Sequence, residues 1–336
     1  MKNIILMLVV LAAFVGPDLA SAQPRVPAPT VSSAAAEVPT IGSAVPGAFY
    51  HNGSRMLAEG RYIEAIEAFQ RAIVASPNVA LIHNDLGYTY FLAGQYMQAV
   101  SAYQDAIRLQ PDYALAHSNL GTAYLHLKDY ENAFLFLKKA LLLKPDYANA
   151  RYQLGVAYYA VGRLSESVEC FQQVLQINPK HPEALASLGC AYIDLGRLAE
   201  AISLLRQALA INPRLQAAER NLGNAYFQTG NFAESLQAFQ RALILNPIDA
   251  EVLNNLGVTY IALHAFKQAI SAYKRAIAIV PAYEEAHYNL AIAYLALNDR
   301  RGALGEYALL RKLNDERAEM LYKELNAGRV VDVSHK

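Results

Sequence analysis

The chain has 336 residues and equal numbers of basic and acidic side chains, 29 of each, so its formal net charge is zero. A neutral chain lacks the main electrostatic drive toward phosphate backbones, and nucleic acid is excluded as an expected partner. Its 54% apolar content is inflated by alanine at helix-crossing positions and does not signal membrane residence.

Residues 1–22 stand apart in composition. Lys2 supplies a positive start, Ile4 to Val15 form a 12-residue apolar run, Gly16-Pro17 breaks it, and Ala20-Ser21-Ala22 offers an A-x-A site. The pattern predicts a secretory signal peptide cleaved between Ala22 and Gln23, hence a periplasmic or secreted protein. The run is shorter than the roughly 20 residues a spanning helix needs. An uncleaved membrane anchor is the alternative; with no cysteine at the cleavage site, a lipid anchor is not expected. Residues 23–45 are rich in Pro, Ala and Ser, and Pro24, Pro27, Pro29 and Pro39 favour extended chain over helix. They read as a linker.

From there a period takes over. Pro77, Pro111, Pro145, Pro179, Pro213, Pro247 and Pro281 stand 34 residues apart without a slip. A constant period of this length marks a stacked repeat protein. Units begin at Pro46, Ala80, Ala114, Ala148, Pro182, Gln216, Ala250 and Glu284. Each holds two helical patterns. The first carries Leu-Gly and then Tyr, as in Leu86-Gly87 with Tyr90 and Leu256-Gly257 with Tyr260; the eighth unit has Ala291 in the glycine slot. Glycine inside a helix costs about 1 kcal/mol relative to alanine, so its recurrence predicts a close crossing by the second helix. That helix supplies a small row (Ala65, Ala99, Ala133, Ser167, Ala201, Ser235, Ala269, Ala303) and, four residues on, a bulky one that includes Phe69, Tyr103, Leu137, Phe171, Phe239 and Tyr273. Gly60, Gly94, Gly162, Gly196 and Gly230 are predicted at the intervening turn in left-handed geometry, with Lys128, His264 and Asn298 in the same slot elsewhere.

These residues resemble the tetratricopeptide repeat, with its Leu-Gly-x-x-Tyr, Ala-x-x-x-Phe and closing-proline pattern at 34 residues. The resemblance covers Pro46 to Arg317, eight units, and one departure is uniform: the tryptophan slot holds Phe49, His83, His117, Arg151, Leu185, Glu219, Leu253 and His287. It implies an all-α fold, a right-handed superhelical solenoid of antiparallel helix pairs. The units are 46–79, 80–113, 114–147, 148–181, 182–215, 216–249, 250–283 and 284–317, followed by a capping helix over 318–328, stopped by Gly328, and a tail over 329–336.

In the resemblance the first helices line a concave groove, and binding rather than chemistry is expected there. The sixth slot reads His51, Asp85, Asn119, Gln153, Ser187, Asn221, Asn255 and Asn289. Such a row can hydrogen-bond a peptide backbone, as in the similar superhelix of O-linked N-acetylglucosamine transferase, or it can tie neighbouring helices together. Tyr88, Phe91, Tyr152, Tyr159, Phe227 and Tyr288 are the expected aromatic anchors, exposed in the groove or packed between units. Arg220, Asn224 and Asn255 occupy slots of a peptide-carboxylate clamp, but Glu285 stands where a lysine is required.

Cys190 is expected to face the groove and Cys170 the outside, with no disulfide between them. No H-E-x-x-H, C-x-x-C, phosphate loop or G-x-S-x-G motif is present, and no metal, cofactor or catalysis is expected. The sequence thus predicts a non-enzymatic scaffold that binds a protein or peptide, with little salt dependence, in an envelope or secretion assembly. The alternative is a substrate-presenting accessory of a separately encoded glycosyltransferase or peptidase.

Overall fold

The computed structural model describes residues 44–330, and within them every regular element is an α-helix. The signal segment, the linker up to residue 43 and the tail over 331–336 lie outside the described residues. The helices fall into two compact units, residues 44–191 and 192–330.

The first unit contains α1 (Ala44–Ala58), α2 (Tyr62–Ala75), α3 (Ala80–Leu92), α4 (Tyr96–Leu109), α5 (Ala114–His126), α6 (Tyr130–Leu143), α7 (Ala148–Ala160), α8 (Leu164–Ile177) and most of α9 (Pro182–Asp194). The second contains α10 (Leu198–Ile211), α11 (Gln216–Gln228), α12 (Phe232–Leu245), α13 (Ala250–Ala262), α14 (Phe266–Ile279), α15 (Glu284–Ala296), α16 (Arg300–Leu313) and α17 (Asp315–Val330). Within each unit consecutive helices pack in sequence, and first helices also touch the first helix of the next repeat, as α3 does α5 and α13 does α15. This is tetratricopeptide helix-pair packing.

The spaced prolines act one residue upstream. A residue before proline is driven out of the α region, and Gln110, Lys144, Asn178, Asn212 and Asn246 all leave the helix at φ between −127° and −142° with ψ near 91°. Where Asp315 replaces the proline the turn collapses. Asn314 ends α16 and caps α17 by accepting from the Arg317 amide at 3.0 Å. The last helix therefore starts three residues before the expected 318, and Gly328 does not end it; it runs on to Val330.

The glycine slot is a socket. A Cβ at Gly87 would lie 2.7 Å from the Tyr103 ring, at Gly121 2.6 Å from Leu137, and at Gly223 2.6 Å from Phe239. The bulky residue of the second helix, rather than its backbone, demands the glycine. Tyr103, Leu137, Phe171, Phe239 and Tyr273 are all 0% exposed. In the eighth repeat Ala291 fills the socket, and its partner Tyr307 is only half-buried. The left-handed turns fall where expected, with φ of 59° at Lys128, 57° at His264 and 58° at Asn298 beside the five glycines.

Candidate functional site

The first helices carry two polar relays, one in each unit. In the first unit Tyr50 Oη donates to Asp85 Oδ2 at 2.8 Å, Asn84 Nδ2 donates to Asp85 Oδ1 at 3.0 Å, and Asn119 Nδ2 donates to Asn84 Oδ1 at 3.1 Å. In the second unit Asn255 Nδ2 donates to Asn224 Oδ1 at 3.2 Å, Asn254 Nδ2 to Asn255 Oδ1 at 3.4 Å, and Asn289 Nδ2 to Asn254 Oδ1 at 3.0 Å. The links between repeats at Tyr50–Asp85, Asn84–Asn119, Tyr152–Ser187 and Asn254–Asn289 all span 35 residues. They join the fifth slot of one repeat to the sixth slot of the next. Asn119, Gln153, Asn221, Asn224, Asn255 and Asn289 are at most 5% exposed. The amides of Asn119, Asn224, Asn255 and Asn289 tie neighbouring first helices, and a ligand would have to compete for them.

Burial shapes the electrostatics of this row. Asp85 stands among neutral partners, and burial pushes its carboxyl up to about 6 against the pull of the Tyr50 and Asn84 hydrogen bonds.

The expected aromatic anchors are largely internal. Phe91 packs edge-on to His126 with centroids 4.7 Å apart, Tyr152 stacks on His181 at 5.5 Å, and Phe227 meets Phe232 at 5.1 Å. Tyr159 accepts from the Cys190 thiol, and Tyr288 lies in the core that α17 closes with Leu321 and Leu325. Burial raises the Tyr288 phenol to about 12. Tyr88 alone of the six stays half-exposed. Packing between repeats, rather than an open face, is where the structure puts the other five.

Arg220 is half-buried and engaged: its Nη1 lies 2.7 Å from Glu251 and 4.0 Å from Asp249. Burial pushes Glu251 above the ordinary carboxylate range, Arg220 opposes this, and Asp249 and Glu285 add to it. Glu285 in turn holds Arg317 at 3.1 Å. A peptide carboxylate arriving at Arg220 would meet the carboxylates of Asp249, Glu251 and Glu285.

Residues 10–247 match the family described as the cilia and flagella-associated protein 70 C-terminal domain, a tetratricopeptide-repeat domain. The chain belongs to this tetratricopeptide-repeat family. Two further tetratricopeptide-repeat families match over residues 220–284 and 260–325. Among solved structures, the Cut9–Hcn1 hetero-tetramer of the APC/C is similar at 17% identity and a TM-score of 0.65, over 82% of this chain and 55% of that one. A tetratricopeptide repeat protein from Parabacteroides merdae is similar at 17% identity and a TM-score of 0.60, over 75% of this chain and 99% of that one. PilF of Pseudomonas aeruginosa is similar at 21% identity and a TM-score of 0.58, over 64% and 97%. These likenesses show the fold alone. No curated protein matches the sequence.

This tetratricopeptide-repeat protein makes its own use of the tryptophan slot, one that sequence reasoning missed. His83, His117 and His287 each direct Nε2 at the carbonyl of the proline six residues earlier, at 2.9, 2.9 and 3.0 Å, and Arg151 donates to Pro145 in the same way. A carbonyl only accepts, so these rings carry the proton on Nε2. The available signal was a donor placed six residues after each of these prolines. Cys170 and Cys190 both remain thiols and both are buried, so Cys190 does not present itself on an open face. Burial raises the Cys170 thiol to about 11, far from a reactive thiolate. Among the described residues no group of three His, Cys, Asp or Glu is placed to hold a metal.

Proposed function

We propose that this chain is exported and serves as a non-enzymatic scaffold, binding a peptide or protein partner along the first-helix faces of its repeats in an envelope or secretion assembly. The repeats themselves suggest a protein–protein interaction scaffold. The observation that supports the choice of contacts is burial. Of the residues expected to touch a partner, Tyr88 in the first unit and Arg220 in the second keep accessible side-chain surface. The buried amides Asn119, Gln153, Asn221, Asn224, Asn255 and Asn289 then act by fixing the spacing of the helices that carry those contacts. Export rests on the composition of residues 1–22 and the proline-rich stretch after them.

Cross-linking pull-down from the exported fraction tests the contacts, comparing wild type with Tyr88→Ala and with Arg220→Ala. Reduced partner recovery with normal helicity is expected; undiminished recovery in both variants defeats the assignment. The mass of the mature protein tests export separately. It should begin at Gln23.

A further inference from the structure

In the second unit a cavity of about 330 Å³ opens between α10 and α12 above α11. Glu219, Leu222 and Tyr226 form its floor along one face of α11. Arg206 and Leu209 of α10 and Glu234 and Arg241 of α12 form its walls.

Glu219 is the anomaly. It fills the slot in which four other repeats carry a His or Arg that donates to a proline carbonyl, and a carboxylate cannot donate. Its side chain is 8% exposed, and Oε1 accepts from Arg241 Nε at 2.8 Å. Oε2 is buried and accepts nothing. A buried acceptor left without a donor is costly and calls for an explanation. Nearby, the exposed Arg206 guanidinium lies 5.5 Å from the centre of the Tyr226 ring, with no carboxylate among the described residues in ion-pair reach.

We propose that this cavity binds a primary carboxamide on a short apolar stem, the side-chain group of a glutamine or asparagine in a partner chain. The Glu219 carboxylate pivots about the oxygen that Arg241 holds and brings Oε2 to the cavity, where the amide N–H₂ donates to it. Arg206 turns from Tyr226 to donate to the amide oxygen, and the stem lies against Leu209 and Leu222. Charge selects the class: two guanidiniums and two carboxylates surround the cavity, so an ammonium meets Arg206 and Arg241 while a carboxylate meets Glu219 and Glu234. A volume near the low end of ligand cavities suits one side chain rather than a large cofactor. The site lies on α10, α11 and α12 and does not depend on the Tyr88 or Arg220 contacts proposed above.

The test is a titration of the full chain with N-acetylglutamine methylamide, followed by amide resonances of Glu219, Tyr226 and Gln237, beside the matched glutamate and lysine derivatives. The glutamine derivative is expected to give saturable shifts at least about tenfold tighter than either charged one, a difference of about 1.4 kcal/mol. Glu219→Gln sharpens the result. Arg241 Nε keeps hold of the remaining oxygen, so the new amide turns its N–H₂ to the cavity, and preference should swing to the glutamate derivative. Absence of saturable shifts, equal or tighter binding of the lysine derivative, or an unchanged preference in Glu219→Gln each overturns the proposal.

Discussion

Tyr50 Oη donates a hydrogen bond to Asp85 across 2.8 Å, and the carboxyl group that accepts it is 5% exposed with no cation paired to it among the described residues. Elsewhere the slot holds mostly neutral side chains, three of them consecutive asparagines.

The folded-state value of Asp85, about 6, lies above that of an unfolded aspartate. The native chain therefore binds more protons than the unfolded chain between about pH 4 and pH 6. Its contribution to stability is complete below about pH 4 and is lost as the pH rises through 6. Asp85→Asn removes the titration, still accepts from Asn84 and can donate to Tyr50 Oη. At pH 7 the variant should be more stable by up to about 3 kcal/mol, and the advantage should shrink toward zero at pH 4. Denaturant midpoints of both proteins across that range check this. A difference that stays constant with pH would refute it.

Gly257 and Gly305 are both inside helices and should respond oppositely to alanine. A Cβ at Gly257 falls on the ring of Tyr273, while one at Gly305 meets nothing within 4 Å. Gly257→Ala should cost about 1–3 kcal/mol through overpacking. Gly305→Ala should add about 0.5–1 kcal/mol by lowering the entropy of the unfolded chain. Urea titrations of the two variants would be compared with wild type; a matching sign in both removes the socket explanation.

Tyr273 and Tyr103 bring hydroxyls into a row that Phe69, Phe171 and Phe239 fill without one. Both hydroxyls are buried and have no hydrogen-bond partner. Tyr273→Phe should be neutral or stabilising by about 1 kcal/mol, since it removes an unpaired polar atom and leaves the ring in place. A melting temperature lowered by several degrees would show that the hydroxyl has a partner after all.

The amide relay can be separated from ligand contact by a double-mutant cycle. Asn289→Ala leaves Asn254 Oδ1 unpaired and should cost about 1–3 kcal/mol. Paired with Asn254→Ala it should reveal a coupling of about 0.5–3 kcal/mol. Additive effects would mean that the 3.0 Å bond contributes nothing. Loss of partner recovery in Asn289→Ala at unchanged stability would place a ligand on the row directly.

The repeats were legible because their determinants are local and recur at 34 residues. Proline displaces its predecessor, glycine accommodates the ring of Tyr103 or Tyr273, and Lys128, His264 and Asn298 take the left-handed turn. The buried polar row was harder to read. Asn84 bonds to Asn119 and Asn254 to Asn289 at an offset of 35, so aligning repeats column by column hides the pairing. The sequence left open whether Phe91, Tyr152, Tyr159, Phe227 and Tyr288 are exposed or packed between units, because exposure depends on neighbours outside their own unit of sequence. The cover over Tyr288, for instance, comes from α17. Glu219 looked like one more variant in a tolerant slot until its unpaired oxygen appeared.

The clasp between a slot histidine or arginine and the proline before it has a mechanical consequence. It pins the end of one hairpin to the start of the next at His83, His117, Arg151 and His287, whereas Leu253 and Glu219 provide no such latch. Under tension, or in early thermal opening, the unlatched joints are where the chain will part, so its resistance to unravelling is uneven along its length even though its period is not.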